Sequence, residues 1–226
     1  MSSEILHIAE TIYRGRSTLL SMLSDRGYDV SAYSNYNQDD INVMLHAFSE
    51  KNRDSADLGP LDILVNHKTD GTRIYVKYRL DKFKVSKQLD QTIEEIFKTK
   101  LELKDTLILI MLDNIAFKNP KENRVEEYVN RYYIKHKYFI QIFGLDNLLF
   151  NVSKHVLVPK HDILNKDELK AIIANYNLEH LKNFPTIRRE DPMAKYIGLR
   201  PACVCRITYP SLASCEYVKY RICTLA

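Results

Sequence analysis

Tryptophan is absent from this chain of 226 residues, and glycine is scarce, with six in all. So few glycines disfavour a phosphate-cradling loop, and neither Gly-x-Gly-x-x-Gly nor Gly-x4-Gly-Lys-[Ser/Thr] occurs. No apolar stretch approaches the ~20 residues that a membrane-spanning helix needs. Internal repeats and low-complexity tracts are lacking, and the seven prolines with 27% charged residues describe an ordinary folded protein rather than a disordered one. No nucleophile sits on an evident strand-turn-helix elbow, the geometry an acyl-transfer serine needs. The opening residues MSSEILHIAE carry acids and lack a basic flank, so no secretory signal is expected. An intracellular protein with its four cysteines reduced is the expectation.

What is present suffices for a sizeable core, since 45% of the residues are hydrophobic. The formal net charge of +4 is unevenly placed: residues 151–226 hold 12 Lys and Arg against 7 Asp and Glu, the rest 21 against 22. A mildly basic C-terminal third suits an acidic protein surface or nucleic acid. It falls short of the clustered charge of a dedicated nucleic-acid binder.

Ser2 or Ser3 can cap a first helix in which Ile5, Ile8, Ala9, Ile12, Leu19, Leu20 and Leu23 share a face. It stops at Asp25-Arg26-Gly27-Tyr28, where Gly27 suits a left-handed position. Asn37 can cap a second helix carrying Ile41, Met44, Leu45 and Phe48, followed by a turn-rich loop over 50–60. Ile63–Asn66 and Thr72–Leu80 read as strands around Lys68-Thr69-Asp70-Gly71, with Asp-Gly supplying positive-φ turn positions. Ser86 can cap a helix with Leu89, Ile93, Ile96 and Phe97. The run Thr106–Leu112 reads as a strand buried on both faces. A polar loop (118–124), an aromatic-rich helix (about 125–136) and a strand (Tyr138–Phe143) complete a mixed α/β unit ending near residue 150.

Beyond it, Asn165 can cap a helix whose Leu169, Ile172, Ile173 and Tyr176 face inward. In IRREDPMAKYIGL (187–199), Asp191 is a cap, Pro192 a first helical residue and Gly198 a left-handed terminus. A helix this short is not stable alone. Tyr196 and Leu199 are therefore expected to pack, leaving Arg188, Arg189 and Lys195 to face a partner. Strands at Val204–Tyr209 and Tyr217–Thr224 close the chain.

Three constellations invite chemistry. Cys203, Cys205, Cys215 and Cys223 crowd the last 24 residues, but Cys-x-Cys with long spacers fits a zinc knuckle poorly, and thiols alternating along a strand serve as small core hydrophobes. His155 and His161, six apart with no neighbouring Cys, are weak as metal ligands. Asp62, Glu102 and Lys104 fit the Asp…Glu-x-Lys arrangement of Mg²⁺-dependent nucleases, though Glu102 and Lys104 precede the buried strand instead of lying in it. No catalytic centre stands out, and a binding or assembly protein is the better inference.

HVLVPKHDIL (155–164) sharpens this. Together with Phe184-Pro185, Ile187, Arg189, Asp191-Pro192, Ala194, Tyr196, Gly198-Leu199, Tyr217 and Tyr220-Arg221-Ile222-Cys223, it resembles the fifth subunit of eukaryotic RNA polymerases. The archaeal counterpart in that family consists of this C-terminal part alone. Over residues 1–150 the match is thinner: Asp25-Arg26-Gly27-Tyr28, the buried strand and the length. The resemblance implies an α+β protein with a restriction-endonuclease-like α/β jaw domain (1–150) lacking nuclease activity. A small α+β assembly domain (151–226) would follow. Such a subunit is non-catalytic, holds no cofactor or metal, docks on the largest polymerase subunit and places its jaw near downstream DNA. The docking residues implied are His155, Pro159, Lys160, His161, Arg188, Arg189, Asp191, Pro192, Tyr196, Gly198, Leu199, Tyr220 and Arg221. Neither a membrane nor a small-molecule substrate is expected. The other readings are a Mg²⁺-dependent nuclease and a free-standing transcription adaptor.

Departures from the family pattern are informative. Ala202 stands where the family has Gly; if that Gly takes positive φ, Ala carries about 1 kcal/mol of strain unless Pro201 reshapes the turn. The hairpin tip Ser211-Leu212-Ala213-Ser214-Cys215 lacks the family's acid and glycine. The loop after the buried strand instead offers Lys118, Lys121 and Arg124 as weak, non-specific phosphate contacts. A composition rich in Ile, Asn, Lys and Tyr suits a divergent lineage with an AT-rich genome. Nuclear localisation follows for a cellular protein, and a virion or cytoplasmic viral factory for one encoded by a large DNA virus.

Overall fold

The computed structural model describes residues 2–50, 59–79, 87–111, 124–211 and 215–225. Helix α1 (Ser2–Asp25) buries Ala9, Ile12, Leu19, Met22 and Leu23 along one stripe. It ends where Gly27, at φ 90°, lets the chain turn so that Tyr28 N–H bonds the Leu23 carbonyl at 3.0 Å. A side chain at Gly27 is excluded sterically as well, since its Cβ would lie 2.7 Å from His67 Nε2. Helix α2 (Gln38–Glu50) opens on a reciprocal cap: Asp40 N–H donates to the Asn37 side chain and Asn37 N–H to the Asp40 carboxylate, both at 2.9 Å. Ile41 and Leu45 are buried, and Met44 half-buried. The side chains of Ile5 and Phe48, and Ser86, fall outside the described residues.

Strands β1 (Ile63–Asn66) and β2 (Arg73–Arg79) pair antiparallel. Of the turn residues between them, Gly71 has positive φ (68°), whereas Asp70 accepts bonds from Thr72 N–H and Oγ1. Helix α3 (Lys87–Thr99), strand β3 (Thr106–Met111), helix α4 (Arg124–His136) and strand β4 (Phe139–Gly144) follow. The sheet order is β1-β2-β3-β4, with β2, β3 and β4 parallel. Both crossover helices lie on one face. There Leu89, Ile93, Ile96, Val125, Val129 and Tyr132 pack on Tyr75, Leu107, Leu109, Met111, Ile140 and Ile142. Asp90 joins the two helices by accepting from Tyr128 (2.6 Å) and Tyr132 (2.7 Å). Burial, reinforced by this carboxylate, raises both phenol pKa values. On the other face, Arg16 of α1 lies beside Tyr78 and donates to the Leu61 carbonyl at 2.8 Å.

The second sheet contains β5 (Lys160–Ile163), β6 (Thr186–Arg188), β7 (Val204–Ser211) and β8 (Cys215–Thr224), in the order β5-β7-β8-β6. Register sorts its residues by parity. Val204, Tyr220 and Ile222 face helix α5 (Lys166–Asn175), whose Ile172 joins their cluster. Cys205, Ile207, Cys223 and Tyr209 face helix α6 (Pro192–Ile197), through Ala194 and Leu199. Asn165 caps α5 with a full capping box. Strands β5 and β6 are not apparent from sequence: at four and three residues they are too short to show a period, and they exist by pairing with β7 and β8. The chain divides into two compact units, Met1–Phe150 and Asn151–Ala226.

Candidate docking face of the C-terminal unit

Helix α6 is built as its sequence requires. The Asp191 carboxylate accepts from Met193 N–H (2.8 Å) and Ala194 N–H (3.2 Å), Pro192 occupies the first turn, and Gly198 terminates it at φ 70°. Met193, Ala194, Tyr196 and Leu199 are buried, so the helix is held by packing. Arg188 and Pro192 remain exposed. Arg189 differs from expectation: it is 4% exposed and lies beside Cys223, with its N–H bonded to the Thr224 carbonyl at 3.2 Å. It follows β6 into the interior, and its guanidinium is not a free surface cation.

The segment before β5 packs against α6. Asn151 caps a turn at Val152–Lys154 and donates to the Tyr196 hydroxyl at 3.4 Å. A second turn follows at once, with Val158 N–H bonded to the His155 carbonyl at 2.9 Å. Its corners are Val156 and Leu157, which are 90% and 82% exposed. His155 is exposed beside them, and Pro159 and His161 are half-buried, with His161 Nδ1 2.8 Å from the Pro159 carbonyl. The segments on either side of the 155–158 turn, Val152–Lys154 and β5, thus contact α6. The fold sets apart Lys160, which pairs with Asp162 on the α5 face, and Tyr220, which packs near Tyr176 and Phe184 on that same face. Arg221, on the α6 face, braces β6 by donating to the Thr186 carbonyl at 2.8 Å.

Val156 and Leu157 are functional candidates that sequence periodicity does not reveal. Three apolar residues in a row before a proline have no period to flag them. Their signal is their exposure, because large apolar side chains presented together at a turn mark an interaction site.

The cysteines behave as core residues. Burial pushes the Cys205 thiol up to about 11 and the Cys223 thiol up to about 12. Among the described residues no group of three or more His, Cys, Asp or Glu side chains is arranged to hold a metal.

The nuclease triplet is not assembled. Asp62 is buried and saturated: it accepts from Tyr75 Oη (2.7 Å), Gly59 N–H (2.9 Å) and Tyr78 N–H (3.0 Å), and lies 3.5 Å from Lys77 Nζ. Glu102 and Lys104 pair with each other at the opposite end of β2, where Glu102 meets Arg73 at 3.5 Å. Arg73 and Lys77 are four residues apart on one strand, roughly 13 Å. Asp62, Glu102 and Lys104 therefore share no metal ion. Lys118 and Lys121 lie outside the described residues, and Arg124 opens α4.

Comparison with known proteins agrees with this architecture. The family model for RNA polymerase Rpb5, C-terminal domain, matches residues 150–223. The chain is 29% identical to "DNA-directed RNA polymerases IV and V subunit 5B" of Arabidopsis thaliana, covering 92% of this chain and 88% of that protein. Arabidopsis "DNA-directed RNA polymerase V subunit 5A" is 28% identical over 98% and 90%. "DNA-directed RNA polymerases I, II, and III subunit RPABC1" of Caenorhabditis elegans is 29% identical over 93% and 94%. The likeness runs through both units, and the part that the family model matches, residues 150–223, spans the 155–158 turn and helix α6.

Proposed function

We propose that this chain is a non-catalytic subunit of a DNA-directed RNA polymerase and that its C-terminal unit docks on the largest subunit through the 155–161 turn and the start of α6. The observation that carries the docking is the exposed Val156-Leu157 corner, flanked by His155 and set between the Asn151-capped turn and Pro159. An apolar tip beside polar side chains buries area on docking, as interface anchors do. The N-terminal unit then acts as a jaw beside downstream DNA, with Lys118, Lys121 and Arg124 meeting phosphates weakly and without sequence preference. The work of such a polymerase places the protein in the nucleus of a eukaryotic cell.

Co-purification tests the docking. Tagged full chain is expected to retain the largest subunit, and the Val156→Ser, Leu157→Ser double variant to lose retention by about tenfold or more, since each side chain buries on docking. Its melting temperature should stay within about 2 °C, because neither side chain contributes to the core. Full retention by the variant, or none by the unmodified chain, would overturn the proposal.

A further inference from the structure

The central hairpin of the second sheet is much longer than the strands beside it. Strand β6 pairs with β8 only over Ile222–Thr224, so among the described residues Cys215–Arg221 has no strand on its outer side. The direction of the backbone groups is known. Cys223 N–H points inward to the Cys203 carbonyl, and Ile222 N–H outward to the Pro185 carbonyl. By the two-residue period, the N–H and C=O groups of Tyr220 and Val218 also point outward, onto the open edge. An unpaired edge of this kind is a template for another strand.

Side chains define what that strand must carry. On the α6 face the edge presents Tyr217, Lys219 and Arg221 in alternation. Tyr217 stacks on Tyr209 at 4.7 Å, and Lys219 Nζ lies over both rings at 5.2 and 5.4 Å. No carboxylate among the described residues pairs with Lys219 or Arg221: one lies on tyrosine rings, the other donates to a carbonyl. On the α5 face the same edge shows Val218, partly exposed, and Tyr220. Glu216 lies on the α5 face of this edge, while the α6 face carries only positive charge, which there repels a second copy aligned face to face and admits acidic side chains. Lys219 and Arg221 are two residues apart, about 6.7 Å, the spacing of alternate side chains on an extended partner.

We infer that the outer edge of β8 receives an extended segment of another polypeptide in which acidic residues alternate with apolar ones. The segment adds as a fifth strand, its carboxylates meeting Lys219 and Arg221 and its apolar side chains covering Val218 and Tyr220. Main-chain bonds supply affinity and the alternating side chains supply selectivity. A nucleic-acid strand would find the cations and could accept from the outward N–H groups, but it offers no matching row of donors for the C=O groups and no side chains for the apolar second face.

The experiment titrates the full chain with a fluorescein-labelled octapeptide of alternating Glu and Val, following anisotropy and amide exchange. Binding is expected, with slowed exchange at Val218 and Tyr220. Lys219→Glu should weaken it about tenfold. Val218→Pro, which removes an outward N–H the β7 ladder does not use, should abolish it. Octapeptide methylated on alternate backbone nitrogens should not bind. Absence of binding, equal binding of the methylated peptide, unprotected Val218 and Tyr220 amides, or displacement of the peptide by an equimolar oligo-dT strand would each overturn the inference. Val156 and Leu157 play no part in this assay, so its failure leaves the docking proposal intact.

Discussion

Ala202 and Cys215 adopt left-handed backbone, at φ 66° and 62°, in a unit whose Gly198 shows the same conformation at φ 70°. An L side chain in this region costs roughly 1–2 kcal/mol. Glycine escapes that strain but loses roughly 0.4–1 kcal/mol through the greater freedom of the unfolded chain. The net expectation for Ala202→Gly is a stabilisation of about 0.5–1 kcal/mol. Nothing offsets it in the folded state. The Ala202 methyl is exposed, and its N–H keeps its 2.9 Å bond to the Cys223 carbonyl whatever the side chain. For a unit of this size the melting temperature should rise by about 2–8 °C. Ala202→Val, which adds a branched carbon at the same φ, should lower it. Cys215 lies at the far end of the hairpin from Ala202, so Cys215→Gly should add independently. Thermal melts of the full chain, with amide exchange at Ile222 and Cys223 reporting on this unit, measure both effects. If Ala202→Gly melts lower and exchanges faster, the left-handed backbone stores no strain and the reasoning fails.

Three further outcomes follow from the Asp62 cluster and the cysteines. Asp62→Ala strips the buried Lys77 ammonium of a carboxylate 3.5 Å away and Tyr75 of its acceptor, and should cost about 3–5 kcal/mol in a urea titration; a loss under about 1 kcal/mol would show the pair to be idle. Cys205 and Cys223 hold their protons more tightly when folded, with thiols up at about 11 and about 12 against an ordinary 9.0. Their contribution is therefore complete below pH 9.0 and is lost as pH rises towards 11 and 12, so denaturation midpoints should fall over that window. At pH 8 a thiol reagent should label exposed Cys215 at once, and Cys205 and Cys223 only on unfolding.

Legibility followed the range of the forces involved. Helix α6 could be read to the residue because its signals are local: a carboxylate two and three residues before the amides it caps, a proline with a fixed φ, and a glycine at positive φ. The same holds for Asn37 and Asn165 as caps, and for β3, whose run of apolar residues requires burial on both faces. Arg189 could not be read this way. Whether an arginine beside a short helix faces solvent or the core depends on which strand precedes it, and β6 is only three residues long. The Asp62 cluster shows the same limit. Its partners Tyr75 and Lys77 lie across a hairpin, while the sequence-adjacent triplet at Glu102 and Lys104 belongs to the other end of the sheet. Spacing along the chain suggested a triad that strand register takes apart.

The two exposed features of the C-terminal unit have one structural origin. A ten-residue β8 and an eight-residue β7 are flanked by edge strands of three and four residues. Short edge strands cover only the base of the hairpin, so the outer edge of β8 over Cys215–Arg221 has no neighbouring strand among the described residues, and the chain that must enter the short β5 does so through tight turns that throw Val156 and Leu157 outward. In a solitary protein, selection against aggregation disfavours a long open edge next to exposed tyrosine and valine. Here the edge carries Lys219 and Arg221 without an acidic neighbour on the same face, which discourages self-pairing yet leaves the backbone template open. Protection against the wrong strand combined with access for a right one is what a subunit requires. It must remain soluble until it is assembled, and this length mismatch in the sheet provides for both.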